Sequence, residues 1–159
     1  MQESESRLFG FRVEFQACVA ELIGRTRLSL AVSDHDLSDW ALERLETIAQ
    51  IERILSTPQG SVRILVTDTE FLEKRAPRLL ALRQHHSAAL AFRQVPGSLA
   101  TSEGLMLGDT GHVLRRAHHG AWRGRASFAM VTEAEPWRHK FDALWNESLD
   151  CLAATTLGL

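Results

Sequence analysis

Residues 101–127 read TSEGLMLGDTGHVLRRAHHGAWRGRAS, and the fold can be worked out from this stretch outward. A short apolar run at 104–107 enters Gly108-Asp109-Thr110-Gly111, and a second run follows at 112–116. Glycine and aspartate tolerate the positive φ angles that tight turns need, so the stretch predicts a β-hairpin. A loop rich in arginine and histidine comes next, and a strand-like run at 126–131 follows it.

The chain before and after the hairpin alternates between helical and extended patterns. Apolar residues recur at three- and four-residue steps over 12–24, which predicts a helix, while alternation over 27–32 predicts a strand. The same reasoning predicts a helix at 40–55 capped by Ser38 or Asp39, helices at 70–75, 77–86 and 133–148, and strands at 62–67 and 88–94. This order predicts one α/β domain over 1–159, with a mixed sheet flanked by helices and with 1–10 and 153–159 frayed.

A polar cluster, Ser33-Asp34-His35-Asp36, ends the first of these predicted strands. In open α/β sheets, ligands bind beyond the carboxyl ends of the strands. The cluster therefore occupies a position that is typical of ligand sites.

The Gly-Asp-x-Gly hairpin, the following strand and a closing helix with Phe141 and Trp145 in FDALW resemble the second part of a phospholipase D-like domain. The resemblance covers most of the chain and implies one half of a phospholipase D-like fold. That family carries His-x-Lys-x-x-x-x-Asp on the first hairpin strand. With the aspartate at Asp109, the lysine position is Gly104 and the histidine position is Ser102.

These replacements bear on the activity that the resemblance implies. In the family, a histidine attacks a phosphodiester, a lysine binds the phosphoryl oxygens and an acid orients a histidine. Ser102 cannot replace an imidazole nucleophile without an activating base, Gly104 carries no charge, and Asp109 is also a good turn residue. The Gly-Ser-x-Asn that usually follows the hairpin has no counterpart around 124–128. The resemblance supports the fold and predicts that the protein is not an active phosphodiesterase.

The best candidate for a binding site is a basic cluster without acidic residues. Its members are Arg115, Arg116, His118, His119, Arg123 and Arg125. Guanidinium groups match the geometry of phosphate, and Trp122 within the cluster can stack on a base or an apolar tail. The alternative is that these arginines pair with glutamates of the predicted helices, namely Glu43, Glu46, Glu52, Glu133 and Glu135.

The histidines and cysteines do not follow metal-binding patterns. Two histidines that are neighbours in sequence do not chelate one ion, and neither His-x-x-x-His nor Cys-x-x-Cys is present. The sequence therefore predicts no metal and no cofactor. The alternative for an enzyme is a displaced catalytic histidine, taken from His112, His118 or His119.

Composition is that of an ordinary globular protein, with 45% hydrophobic and 24% charged residues and a net charge of −2. This charge argues against a protein that coats nucleic acid, although it allows a local basic patch. No apolar run approaches the roughly 20 residues that span a bilayer, and the N-terminus lacks the pattern of a signal peptide. We therefore expect a cytoplasmic protein in which Cys18 and Cys151 are reduced.

Three functions remain compatible with the sequence. The first is a non-catalytic binding or assembly module for a phosphate-bearing ligand or nucleic acid. The others are a phosphodiesterase with a displaced histidine and a structural module that docks onto another protein. Single-motif members of the phospholipase D-like family pair their motif regions across a two-fold axis, so the resemblance also implies a homodimer around 104–116.

Overall fold

The computed structural model describes residues 2–152, whose strands form one eight-stranded mixed sheet. The strands are β1 (Glu5–Phe9), β2 (Ser29–Asp34), β3 (Ser61–Val66), β4 (Leu90–Gln94), β5 (Gly104–Gly108), β6 (His112–Arg116), β7 (Gly124–Phe128) and β8 (Leu149–Asp150). The helices are α1 (Arg12–Arg25), α2 (Leu45–Ser56), α3 (Glu70–Arg75), α4 (Pro77–His85) and α5 (Val131–Asn146), with a 3-10 turn at Gly97–Leu99. The order across the sheet is β1-β7-β6-β5-β2-β3-β4-β8.

The sheet topology brings distant parts of the chain to one edge. Strands β2, β3 and β4 are parallel, whereas β5 runs antiparallel to β2 and β6 antiparallel to β5. The start of β5 and the end of β6 therefore lie at the same edge as the carboxyl ends of β2–β4. Ligand sites in open α/β sheets form at that edge.

Both faces of the sheet are covered by helices. On one face, α1, α2, α3 and α4 bury apolar side chains such as Phe15, Ile54, Leu72 and Leu79. On the other face, α5 buries Ala134, Phe141 and Trp145, with Trp137 and Leu144 partly buried beside them. The α/β class and the apolar stripe of the last helix are confirmed, because their periodicity is local in the sequence.

The helix predicted at 40–55 begins only at Leu45. Its expected caps, Ser38 and Asp39, lie in an irregular segment, and Arg44 holds the N-cap position. Leu37 and Ala41 have φ angles of 70° and 56°, which interrupt any helix there. Trp40 is 1% exposed. Leu37, Trp40 and Leu42 thus pack into the core from an irregular segment, although their spacing resembles that of a helix.

Residues 5–9, which were expected to fray, form strand β1 and pair antiparallel with β7. Phe9 of this strand is buried, and Arg7 forms ion pairs with Glu5 and Glu21. The strand predicted at 126–131 lies earlier in the chain, at Gly124–Phe128, and α5 already begins at Val131. Residues 153–159 lie outside the described part of the chain, so a single domain over 1–159 stays a prediction.

The predicted hairpin is present in the middle of the sheet. All five residues of β5 are buried, and so are those of β6 apart from Arg115. The apolar side chains of the hairpin therefore pack within this chain. They leave no exposed apolar hairpin face for the predicted homodimer. Cys18 and Cys151 are free thiols. Among residues 2–152, no helix has the length and apolar character that a membrane crossing requires.

Candidate functional site

The turn of the hairpin is held by the carboxylate of Asp109. This residue has a φ angle of 49°, which aspartate tolerates better than most side chains. Its carboxylate accepts hydrogen bonds from the backbone N–H groups of Arg27, Leu28 and Ser29, at 2.9, 2.8 and 3.1 Å. Asp109 thus joins the hairpin turn to the start of β2. These bonds give it the structural role of a turn and loop anchor.

The opposite end of the hairpin has no room for the lysine of the family motif. A Cβ atom on Gly104 would lie 2.8 Å from Trp40 Cζ2, 3.0 Å from Asp34 Oδ1 and 3.2 Å from Arg116 Cβ. Ser102 is exposed in the loop before β5. The side chains of Trp40 and Asp34 therefore fill the space in which a lysine at 104 would begin.

A buried arginine lies beside Gly104 on the neighbouring strand. Arg116 pairs with Gly104 in the β5–β6 register, and its side chain is fully buried. The guanidinium donates to Asp39 Oδ2 at 2.8 Å and to the carbonyl of Ala121, and it lies 4.0 Å from Asp34 Oδ1. It also lies over two aromatic rings, those of Phe15 and Trp122. The charge of Arg116 is therefore compensated inside the protein, and its role as a phosphate ligand stays a prediction.

Several buried polar atoms around this arginine lack a hydrogen-bond partner. They are Asp34 Oδ1, Trp40 Nε1, Arg116 Nη1 and His119 Nδ1. The His119 Nδ1 atom lies 3.9 Å from Asp34 Oδ2, which links the histidine to the same cluster. Buried polar groups are nearly always paired in native structures. The cluster therefore offers donors and an acceptor that nothing in the described chain satisfies.

His119 lies next to the position where the family carries its histidine. Its backbone N–H donates to the carbonyl of Ser102 at 2.6 Å. Its ring faces that of His35, with the centroids 4.8 Å apart. Ligand atoms of His35, Asp36 and His119 all lie within 4.8 Å of one another. The sequence reasoning placed 33–36 at a ligand-binding edge but did not connect it with His119, because the sheet topology alone brings them together.

All four candidate arginines border one groove, which we call the arginine groove. It has a volume of about 230 Å³, and its lining includes Leu8, Glu103, Arg115, Arg116, Arg123 and Arg125. Arg115 and Arg125 are directly paired across β6 and β7, and Arg125 is paired with Leu8 of β1. The Arg115 guanidinium lies 3.7 Å from the ring centroid of Trp137 and 3.3 Å from Glu103 Oε2. Arg123 and Arg125 are exposed to solvent.

Comparison with known proteins shows the family to which the chain belongs. Residues 12–157 match the family described as Domain of unknown function (DUF7931). The chain belongs to this family. No curated protein sequence matches it at a significant level.

Solved structures show the fold of this DUF7931 chain. It superposes on Nuc, a phospholipase D family member from Salmonella typhimurium, with a TM-score of 0.62 and 15% identity over 94% of this chain and 99% of that one. NucT from Helicobacter pylori superposes with a TM-score of 0.63 and 8% identity, over 94% of this chain and 100% of that one. TrmBL2, an archaeal chromatin protein, superposes with a TM-score of 0.69 and 12% identity, over 92% of this chain and 54% of that one. The DUF7931 chain therefore has a phospholipase D-like fold and spans about half the length of TrmBL2.

Within this fold, the six candidate residues of the DUF7931 chain lie in four different environments. Arg115, Arg123 and Arg125 meet at the arginine groove, whereas His119 faces His35 on the other side of the motif region. His118 is exposed, and Arg116 is buried. Trp122 is only partly accessible, since it packs on the core and on Arg116. The alternation of side chains along a strand is the signal that separates Arg115 from Arg116.

The predicted glutamate partners of the arginines take other contacts. Glu43 accepts from the backbone N–H groups of Arg78 and Leu79, Glu52 lies near His86, and Glu133 accepts from Ser127. Among the ion pairs of the described residues, none joins Glu43, Glu46, Glu52, Glu133 or Glu135 to an arginine of the groove. The carboxylate that does approach the groove is that of Glu103.

Proposed function

We propose that this DUF7931 domain is a non-catalytic phospholipase D-like binding module that holds a phosphate-bearing ligand in the arginine groove. The observation that carries the proposal is a groove lined by Arg115, Arg123 and Arg125, in which the lining carboxylate, Glu103, pairs with Arg115. Guanidinium groups bind phosphate through a planar pair of N–H donors. The Arg115 side chain is oriented by Trp137, and its buried Nε has no partner among the described residues.

The proposal that the domain is non-catalytic is supported by the residues at the motif positions. Ser102 is exposed on a loop, and Gly104 borders a space that is already filled. Asp109 is engaged by three backbone N–H groups at the far end of β5. A phosphodiester in this region would therefore lack both the nucleophile and the charge clamp that the reaction needs.

Nucleic acid is the polymer that we expect to bind best. Two of the groove arginines, Arg115 and Arg125, lie on adjacent strands, so they can contact successive phosphates of one backbone. TrmBL2, which shares the fold, is described as a chromatin protein with a novel mode of DNA binding. Binding by phosphate contacts alone is independent of sequence and falls steeply with salt.

Fluorescence anisotropy with a labelled 20-base-pair DNA, measured across a series of salt concentrations, tests the proposal. In Arg123→Glu/Arg125→Glu, the slope of log K against log salt should become shallower by about 2, since roughly one phosphate contact is lost per arginine. Arg27→Glu/Arg75→Glu changes the same number of exposed charges elsewhere and is the matched control. Equal slopes in the two double variants, or no binding by the parent protein, would contradict the proposal.

A phosphodiesterase with a displaced histidine is the second candidate function. It is favoured by the position of His119, whose backbone bonds to Ser102 and whose ring lies near Asp34. Turnover of bis(p-nitrophenyl) phosphate by the purified protein, lost in His119→Gln and kept in the exposed control His139→Gln, would establish this candidate. We expect no turnover by the parent protein.

An assembly role is compatible with the same fold. Strand β1 lies at an edge of the sheet, and the adjacent side chains of Leu8, Phe11 and Val13 are 70%, 71% and 78% exposed. A homodimer would cover such apolar groups, and an exposed strand edge is a place where another chain can pair. Sedimentation at micromolar concentration distinguishes a dimer from a monomer of 17.8 kDa.

A further inference from the structure

We propose that His35, Asp36 and His119 bind a divalent transition-metal ion, with zinc as the first expectation. The three residues lie at the edge where the phospholipase D-like motif has lost its histidine and lysine, and their ligand atoms fall within 4.8 Å of one another. Two imidazoles and one carboxylate form a donor set that suits zinc and its neighbours among the divalent metals. The site is independent of the arginine groove.

The backbone already holds the three ligands in place. The carbonyl of His35 accepts from the N–H groups of Thr67 and Asp68 at 3.0 and 2.9 Å, which fixes the end of β2. The N–H of Asp36 donates to Asp34 Oδ2 at 3.2 Å. The N–H of His119 bonds to the carbonyl of Ser102. Only side-chain rotation is therefore needed to close the site.

The side chain of Asp36 has one oxygen in use and one available. Its Oδ1 accepts from the N–H of Ser38 at 2.9 Å and from the hydroxyl of Ser38 at 2.8 Å. These bonds orient the carboxylate and leave Oδ2 for an ion. Metal-binding carboxylates are commonly held by hydrogen bonds of this kind.

Asp34 is the residue that we expect to form the outer contact of a metal-binding histidine. Its residue is 4% exposed, and its Oδ1 has no hydrogen-bond partner. Its Oδ2 lies 3.9 Å from the buried Nδ1 of His119, which also lacks a partner. A carboxylate behind one ring nitrogen fixes the tautomer and directs the other nitrogen, Nε2, toward the metal. The two unpartnered atoms are the observation that distinguishes this cluster from ordinary surface histidines.

The local charge also favours a dication. Asp34, Asp36 and Asp39 carry three negative charges, and Arg116, which contacts Asp34 and Asp39, carries one positive charge. Asp34 Oδ2 and Asp36 Oδ1 also accept hydrogen bonds from neighbouring groups, which leaves Asp34 Oδ1 as the buried carboxylate oxygen of the cluster without a partner. A nearby divalent ion would offset this concentration of carboxylates.

The geometry implies an ion with an open coordination position. Zinc bonds of about 2.0–2.1 Å place tetrahedral ligands roughly 3.3 Å apart, so ligand atoms up to 4.8 Å apart must approach by roughly 1.5 Å. His35, Asp36 and His119 are only partly buried, which leaves their side chains free to do so. Three protein ligands leave the fourth position to water or to an exchangeable ligand.

Isothermal titration of the metal-free, tag-free protein with zinc tests the site, together with the visible spectrum of the cobalt form. We expect one ion per chain and an intense tetrahedral cobalt spectrum. His35→Gln and His119→Gln should each weaken zinc binding at least tenfold and abolish the spectrum, and Asp34→Asn, a positioning variant, should weaken binding by 10- to 100-fold. His85→Gln and His139→Gln, at exposed histidines elsewhere, are the matched controls and should bind as the parent does.

Two results would overturn the proposal. One is the absence of stoichiometric zinc binding by the parent protein. The other is equal binding by the site variants and the controls, which would mean adventitious binding by scattered surface histidines. Circular dichroism of each variant establishes that it is folded. Arg123→Glu/Arg125→Glu should bind zinc normally, so failure at the arginine groove and failure at the metal site are separate results.

Discussion

The two ends of the β5–β6 hairpin use polar residues in different ways. At the turn, Asp109 keeps the residue of the family motif and bonds to backbone N–H groups. At the open end, Gly104 and Ser102 depart from the motif, and the space is occupied by Trp40 and Asp34 beside the buried Arg116. The aspartate at the turn thus anchors the backbone, whereas the open end holds a buried ion pair between Arg116 and Asp39.

The open end should contribute most to stability. Replacing Arg116 with methionine leaves Asp34 without its nearby cation and Asp39 without its hydrogen-bonded partner. Removal of one member of a buried ion pair costs about 3–5 kcal/mol, a large part of the stability of an ordinary domain. Urea unfolding of Arg116→Met measures this loss. Arg116→Lys keeps the charge but not the planar guanidinium, and its free energy of unfolding should fall by less than that of Arg116→Met.

The adjacent arginine is the control for this prediction. Arg115 lies on the opposite face of β6, and its side chain is 42% exposed. Arg115→Met should change the free energy of unfolding by no more than about 1 kcal/mol, as is usual for an exposed ion pair. If the two methionine variants lost equal stability, the distinction between a buried structural arginine and a groove arginine would be wrong.

Much of the fold, but less of the site, could be predicted from the sequence. The hairpin and the helices at α3, α4 and α5 were found because their periodicity and turn residues are local signals. Strand β1 was missed because an edge strand depends on its partner, β7, which lies more than a hundred positions away. The helix at 40–55 was placed too early because Leu37 and Trp40 are buried in a loop.

The site was harder to predict because its contacts join distant segments. The burial of Arg116 depends on Asp39 and Ala121, and the approach of His119 to His35 depends on the order of strands in the sheet. One part of the site was available from the sequence. Two consecutive arginines on a predicted strand point to opposite faces, so the alternation alone does not place Arg115 and Arg116 on one binding surface.

The turn end should show an intermediate effect. Asp109→Ala removes the acceptor of three backbone N–H groups and places alanine at a φ angle of 49°. We expect a loss of about 1–3 kcal/mol in the free energy of unfolding. Asp109→Asn keeps an acceptor and tolerates the same φ angle, so its free energy of unfolding should fall by less than that of Asp109→Ala. Urea unfolding of both variants measures this, and equal stability of Asp109→Ala and the parent would contradict the anchoring role.

The smallest effect at the turn end concerns pH. His112 is 3% exposed, and its Nδ1 accepts a hydrogen bond from the N–H of Ala129 at 3.0 Å, which requires a neutral ring nitrogen. Burial lowers the pKa of His112 from its usual 6.5, against an opposing effect of the Asp109 charge.

The sign of the pH dependence follows from this lowered pKa. As the pH falls below about 6.5, the unfolded chain takes up a proton at this position before the folded chain does, so stability is lost toward acid, by at most about 1.4 kcal/mol per pH unit. His112→Gln keeps an acceptor for Ala129 but does not titrate, so its urea midpoint should fall less between pH 7.5 and 5.5. His139→Gln, on the exposed side of α5, should keep the slope of the parent. If His112→Gln kept that slope as well, other groups would be responsible for the acid sensitivity, and the turn end would differ from the open end through Asp109 alone.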